Sequence, residues 1–263
     1  MLAVLRRAIT RLADLGVRPA DDHDLRVRKG AMVLVALSIS ALATIWVLTY
    51  LVLGRPQSAA IPMVVGNTRD ETRAFLGSDP DNFTLDWEQL PARLRTQQYL
   101  DIDPDLVVAG YRRLYPHYTP SEVFFAATTA GRSWRGAVED LEARARDGGG
   151  NTWAYQLDWY PRDVEGGERR RAFHTLDIPL VFDNIAQPES LTGTDAKAQK
   201  TADQMSEAFI AFARSGNPSH PGIPQWRPYE LTGRATMVFD AETRVVTLDA
   251  INLESSPPGF IGV

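Results

Sequence analysis

Two short stretches carry the side chains best suited to chemistry. The first, IPMVVGNTRDETRAFL from Ile61 to Leu76, is an apolar run that enters a turn at Gly66 and Asn67 and reaches adjacent carboxylates, Asp70 and Glu71. The second, AFHTLDIPLVFDN from Ala172 to Asn184, places His174 on a loop after an aromatic strand. A carboxylate can hold an imidazole in one tautomer and stabilise the imidazolium, while the imidazole takes a proton from a hydroxyl nucleophile. The other three histidines offer less. His23 sits in an acidic cluster that reads as a solvated turn, His117 in YPHYTP as a turn residue near aromatic rings, and His220 in SGNPSHPG as a solvent-facing loop residue. None has metal-ligand spacing. The chain has no cysteine, which excludes disulfides, thiolate catalysis and Cys-based zinc sites. Nothing in the sequence implies a cofactor.

The elements that would position these groups alternate. Ile61–Val65 reads as a short buried strand, and Leu141–Arg146 as helical, stopped by Gly148-Gly149-Gly150. Trp153, Tyr155, Leu157 and Trp159 recur with the period of a strand. Residues Thr194 to Ser215 form an amphipathic helix with Ala202, Met205, Phe209 and Phe212 along one stripe, ended by Gly216 and Pro218. Thr236–Asp240 and Arg244–Leu248 read as a hairpin. Strands and helices in this order predict an α/β class.

The charge is unevenly spread. Residues 1–55 hold eight basic against four acidic residues, and the remainder twenty against twenty-nine. A basic head on an acidic body argues against nucleic acid as a partner and fits a short segment near anionic lipid. Residues 31–53, AMVLVALSISALATIWVLTYLVL, contain no charge, and about 20 apolar residues span a bilayer core. Arg26, Arg28 and Lys29 precede them and only Arg55 follows closely, which predicts a cytoplasmic N-terminus and an extracytoplasmic body. A cleaved signal peptide, with SAA at Ser58–Ala60 as the cleavage site, stays open. The expected organisation is a basic amphipathic segment at 1–30, a transmembrane helix at 31–53, a linker at 54–60 and one enzyme-type domain at 61–263.

The two motifs resemble those of the type B carboxylesterases, the family of bacterial para-nitrobenzyl esterases and cholinesterases. The family's acid motif, G-x-x-x-D-E, matches Gly66 to Glu71, and its histidine motif, H-x-x-(E/D)-(L/I)-P-(F/L)-V-F, matches His174 to Phe182. Thr72 departs from the family's usual glycine. FARSGNPSHPGIPQWRPYE and RATMVFD also resemble the family's C-terminal region, so the likeness covers residues 61–248. It implies the C-terminal part of an α/β-hydrolase fold, with Glu71 as triad acid, His174 as base and carboxylic esters as substrates. The acid precedes the histidine, as it does in that fold. VRPADDHDLRVRKG more faintly resembles the leader before the first membrane helix of bacterial adenylate/guanylate cyclases, though no cyclase domain follows.

The family's G-x-S-x-G elbow and its oxyanion glycine run are not found in the sequence. The nearest string, GRSWRG at Gly131–Gly136, has one residue too many, follows the acid and lacks a preceding strand, so Ser133 reads as a loop or helix-start residue. Trp134, Phe124 and Phe125 read as core. Without an attacking oxygen or oxyanion donors, the expectation is a catalytically silent lone chain whose sheet exposes an unpaired edge and an uncovered apolar face. Three roles remain open: a hydrolase completed by a serine-bearing segment, a membrane-anchored non-catalytic binding module, and a leader for cyclase-type signalling.

Overall fold

β-Branched and aromatic side chains suit a pleated, two-sided surface, and the runs rich in them build the sheet. The computed structural model describes residues 60–98, 102–148 and 150–247. β1 (Met63–Thr68) is followed by α1 (Arg73–Leu76), a 3₁₀ turn (Pro80–Phe83), α2 (Leu90–Gln97), α3 (Pro104–Leu114) and α4 (Pro120–Thr129). A π turn (Ala130–Trp134) then leads into α5 (Arg135–Arg146) and β2 (Thr152–Leu157). After two short helices, α6 (Gly167–Arg170) and α7 (Asp177–Val181), come the long α8 (Ala196–Ser215), β3 (Ala235–Phe239) and β4 (Arg244–Thr247).

The strands lie in the order β1-β2-β3-β4, the first three parallel and β4 antiparallel to β3. Alternation along β2 sends Trp153, Tyr155 and Leu157 to one face, where Met237 and Phe239 of β3 join Ala202 and Met205 of α8. Ala154 and Val238 face the other way, onto Trp134, Val138 and Leu141. Helices thus cover both faces, and every residue of β2 is buried. Among the described residues the uncovered apolar face expected from the sequence is not found, because α5 and α8 pack on the two sides. The expected unpaired edge is present: among the described residues β1 pairs only with β2. At that edge the strand is only half-buried over Val64 and Val65, so it is less buried than its composition suggested.

Capping explains where the helices begin. Asp195 accepts from the Lys197 and Ala198 amides at the start of α8, and Gly216 closes it in the left-handed conformation. Thr119 and Glu122 form a reciprocal capping box on α4, with Pro120 in its first turn. Helices α2 to α4 enclose a satellite core of Leu90, Leu94, Val107, Tyr111, Val123 and Phe125. Phe124 and Trp134 are likewise buried, as core residues should be.

Two local readings change. Gly66 and Asn67 lie inside β1, paired with Tyr155 and Gln156, and do not form a turn. A Cβ at Gly66 would sit 2.0 Å from the Tyr155 ring, so glycine serves close approach here. His220 is not solvent-facing. Its loop folds back on α8, where Nε2 donates to the Gln204 carbonyl and Nδ1 accepts from the Gly222 amide. Among the described residues no helix is long and apolar enough to cross a membrane. The expected segments at 1–30 and 31–53, and all but the last residue of the linker, lie outside those residues.

Candidate active site

The loops leaving β1 and β2 meet at the sheet's edge, tied by two backbone hydrogen bonds. Asp70 N–H donates to the Ala172 carbonyl at 2.8 Å, and His174 N–H to the Glu71 carbonyl at 3.3 Å. These bonds set Glu71 against His174, with Oε2 at 2.5 Å from Nδ1. The other carboxylate oxygen accepts the Thr68 amide at 2.9 Å, so the buried Glu71 has both oxygens engaged. The imidazole is half-exposed, and its Nε2 makes no hydrogen bond among the described residues. Such an arrangement can hold one tautomer, with Nδ1 carrying the proton and Nε2 available as a base.

The neighbouring carboxylate is assigned elsewhere. Asp70 pairs with Arg73 Nε at 3.1 Å, which separates the two members of the Asp-Glu dipeptide by direction. Phe75 from α1 lies against the imidazole, with ring centroids 5.0 Å apart. Thr175, directly after the histidine, has φ 75°, and Arg171, three residues before it, has φ 49°. Non-glycine residues seldom adopt such values, and each costs about 1–3 kcal/mol. The histidine loop is therefore held in an unfavourable shape by its surroundings.

One of those surroundings runs beneath β1. Tyr155 passes under Gly66, and its hydroxyl donates to Asp177 Oδ2 at 2.8 Å, at the first residue of α7. Burial, then the Asp177 carboxylate, pushes the phenol well above its ordinary range, so it remains a neutral donor. The acidic position of the histidine motif thus anchors the loop instead of joining Glu71 and His174.

Thr72 has a compensating partner set that motif reading missed. It is fully buried, and its hydroxyl contacts Thr128 Oγ1 at 2.8 Å and Thr129 Oγ1 at 2.9 Å on α4. Its amide donates to Thr129 Oγ1 at 3.2 Å. The paired threonines at the end of α4 were the available signal, since a hydroxyl in place of glycine needs buried partners.

The pair opens onto a cleft of about 700 Å³ lined by Gly66, Asn67, Arg132, Ser133, Thr175 and Ile178 among others. Ser133 is neither on a loop nor at an ordinary helix start: it lies in the π turn, in the same cleft as His174. Its hydroxyl donates to the Thr129 carbonyl at 3.2 Å and makes no hydrogen bond to His174. Among the described residues no group of three or more His, Cys, Asp or Glu is placed to hold a metal.

Comparison with known proteins extends this picture. Residues 53–254 match the model of the carboxylesterase family. The para-nitrobenzyl esterase of Bacillus subtilis (strain 168) is 29% identical over 190 residues, 72% of this chain and 36% of that protein. The fumonisin B1 esterase of Sphingopyxis macrogoltabida is 30% identical over 191 residues, 69% of this chain and 33% of its own length. The chain therefore spans about a third of these relatives. A Geobacillus stearothermophilus carboxylesterase crystal structure superposes with a TM-score of 0.62 at 23% identity, over 76% of this chain and 40% of that one. A PNB esterase structure gives 0.54 at 26%, over 77% and 40%. Parallel strands followed by an acid loop and a histidine loop sit in an α/β-hydrolase-like fold, and the chain belongs to the carboxylesterase family.

Proposed function

We propose that this chain carries the acid–base half of a serine-dependent carboxylic ester hydrolase site, with Glu71 as the acid and His174 as the base. The Glu71–His174 contact at 2.5 Å carries the reading, because it fixes Nδ1 and leaves Nε2 toward the cleft. In this role His174 takes a proton from a serine hydroxyl and returns it to the leaving alcohol, while Glu71 stabilises the imidazolium between those steps. The relatives' names, para-nitrobenzyl esterase and fumonisin B1 esterase, support esters as the substrate class.

The same proposal holds that the 263 residues do not hydrolyse esters unaided. They contain no G-x-S-x-G, and the cleft serine, Ser133, spends its proton on a backbone carbonyl. Activity then needs a serine-bearing segment with its own oxyanion donors. Without one, the chain acts as a non-catalytic, esterase-like module. Residues 31–53 anchor it in a membrane with the N-terminus in the cytoplasm, a reading that rests on their length and flanking charge and that protease protection of the C-terminal body in sealed vesicles would check.

Two measurements test the site. Purified full-length chain should show no organophosphate-sensitive hydrolysis of p-nitrophenyl butyrate. Nitrogen-15 NMR should find His174 protonated at Nδ1, and Glu71→Gln should disturb that signal. An unpaired, freely exchanging imidazole would remove the basis of the assignment.

A further inference from the structure

Helices α4 and α5 are joined by the π turn, where the Arg135 amide reaches back to the Ala130 carbonyl, one residue further than in an α-helix. Such turns inside helices are rare and recur at functional sites. This one sends Trp134 into the core with Val138 and Leu141, while Arg132 and Ser133 line the cleft beside His174.

Arg132 is exposed, yet its guanidinium lies against a ring. Its central carbon is 4.1 Å from the centre of Phe75, inside the roughly 6 Å reach of a cation–π contact. The opposite neighbour of Phe75 is His174, at 5.0 Å between ring centres and tilted by 42°, a favourable aromatic geometry. Guanidinium, phenyl and imidazole thus follow one another in contact. Phe75 sits on the single-turn α1 and is 39% exposed, so burial alone does not fix its ring. The imidazole has one side-chain hydrogen bond, to Glu71. That bond anchors Nδ1 but lets the ring rock about the anchor, and a contact on its flank opposes the rocking.

The π turn is itself tied to the acid loop. Thr129, just before it, accepts from the Thr72 amide at 3.2 Å, and the two hydroxyls are 2.9 Å apart. The turn is therefore held one residue after Glu71, from where Arg132 covers Phe75. We infer that Arg132 is a positioning residue for His174, acting through Phe75, and that the π turn is what brings it there. The inference rests on His174 being the base of the pair.

The test is NMR of the full chain in detergent. It reads the His174 Hδ2 and Hε1 shifts, which the Phe75 ring current moves, and the solvent exchange of the Nδ1 proton. Phe75→Leu lacks the ring and supplies the shifts of an unflanked imidazole. Arg132→Met keeps the side-chain length without the charge. It should move both shifts part of the way to the Phe75→Leu values and speed Nδ1 exchange about two- to fivefold, the worth of an exposed cation–π contact. The unfolding midpoint should stay in place, because the side chain removed is exposed. Arg132→Lys returns a cation to the ring and should restore most of both signals. Within Phe75→Leu, Arg132→Met should change nothing further. Unmoved His174 signals in Arg132→Met would overturn the proposal, as would changes that come only with a lowered midpoint. An equal response within Phe75→Leu would do the same, since the charge would then act without the ring. An Nδ1 that carries no proton in the unaltered chain would remove the catalytic reading on its own, with the carbon-bound proton shifts still deciding whether Arg132 orients the imidazole.

Discussion

Asp70 and Glu71 are adjacent in the chain, yet they serve two different regions. Asp70 turns toward a pocket of guanidiniums and neutralises Arg73, whose side chain is 5% exposed. Glu71 turns toward an open cleft and meets one half-exposed imidazole. On the arginine side the Asp70–Arg73 pair is buried, so removing one partner strands the other charge. The cleft side is a single pair whose imidazole is open to solvent. The same two loops make both, so stability and chemistry at this edge can be separated residue by residue.

The largest expected effect lies on the arginine side. Asp70→Ala strands the Arg73 guanidinium and should cost about 3–5 kcal/mol in denaturant unfolding. Glu71→Gln keeps the Thr68 hydrogen bond and should cost only about 1–2 kcal/mol, while disturbing the His174 Nδ1 proton. The reverse order of cost would break the comparison. Next comes Gly66→Ala, whose new Cβ must displace the Tyr155 ring and with it the Asp177 anchor. A loss of about 1–3 kcal/mol is expected, together with a changed His174 environment by NMR.

Thr72→Val removes a hydroxyl that joins α4 to the acid loop. Because Thr128 keeps its bond to the Phe124 carbonyl, the expected loss is about 1 kcal/mol. The smallest effect is a pH dependence. Burial opposes ionisation of Glu122, but the Thr119 hydrogen bonds and Arg171 outweigh it and hold the carboxyl below its usual range. A depressed folded value gives stability that is complete above the unfolded value, about 4.3, and lost as pH falls through the folded one. The group is partly exposed, so the effect is small, and Glu122→Gln should flatten the stability–pH curve in that acid window.

Much of this arrangement was legible from residue patterns. The stripe on α8, its Gly216 stop and the β3–β4 hairpin are local, periodic features, and local periodicity survives folding. The meeting of Glu71 with His174 was legible because motif and chain order agreed. Other features depend on what the chain meets in space. Gly66-Asn67 carries a turn composition, and only the Tyr155 ring beneath it explains its place inside a strand. A π turn has no distinctive composition, so the position of Ser133 in the cleft of Glu71 and His174 could not be read. His220 lies in a segment rich in Pro, Gly, Ser and Asn, which identifies a loop but not the helix it folds against. Thr72 looked like a departure from a motif until its threonine partners were brought together by 56 and 57 residues of intervening fold.

The central claim is that Glu71 and His174 form a catalytic acid–base pair in a chain that lacks its own activated serine. Labelling the purified full chain with a fluorophosphonate and mapping adducts by mass spectrometry addresses it most directly, because that reagent reports nucleophilic serines. No serine should be modified above the level of the heat-denatured chain. A stoichiometric adduct on Ser133, or on any other serine, that disappears with His174→Ala would contradict the account.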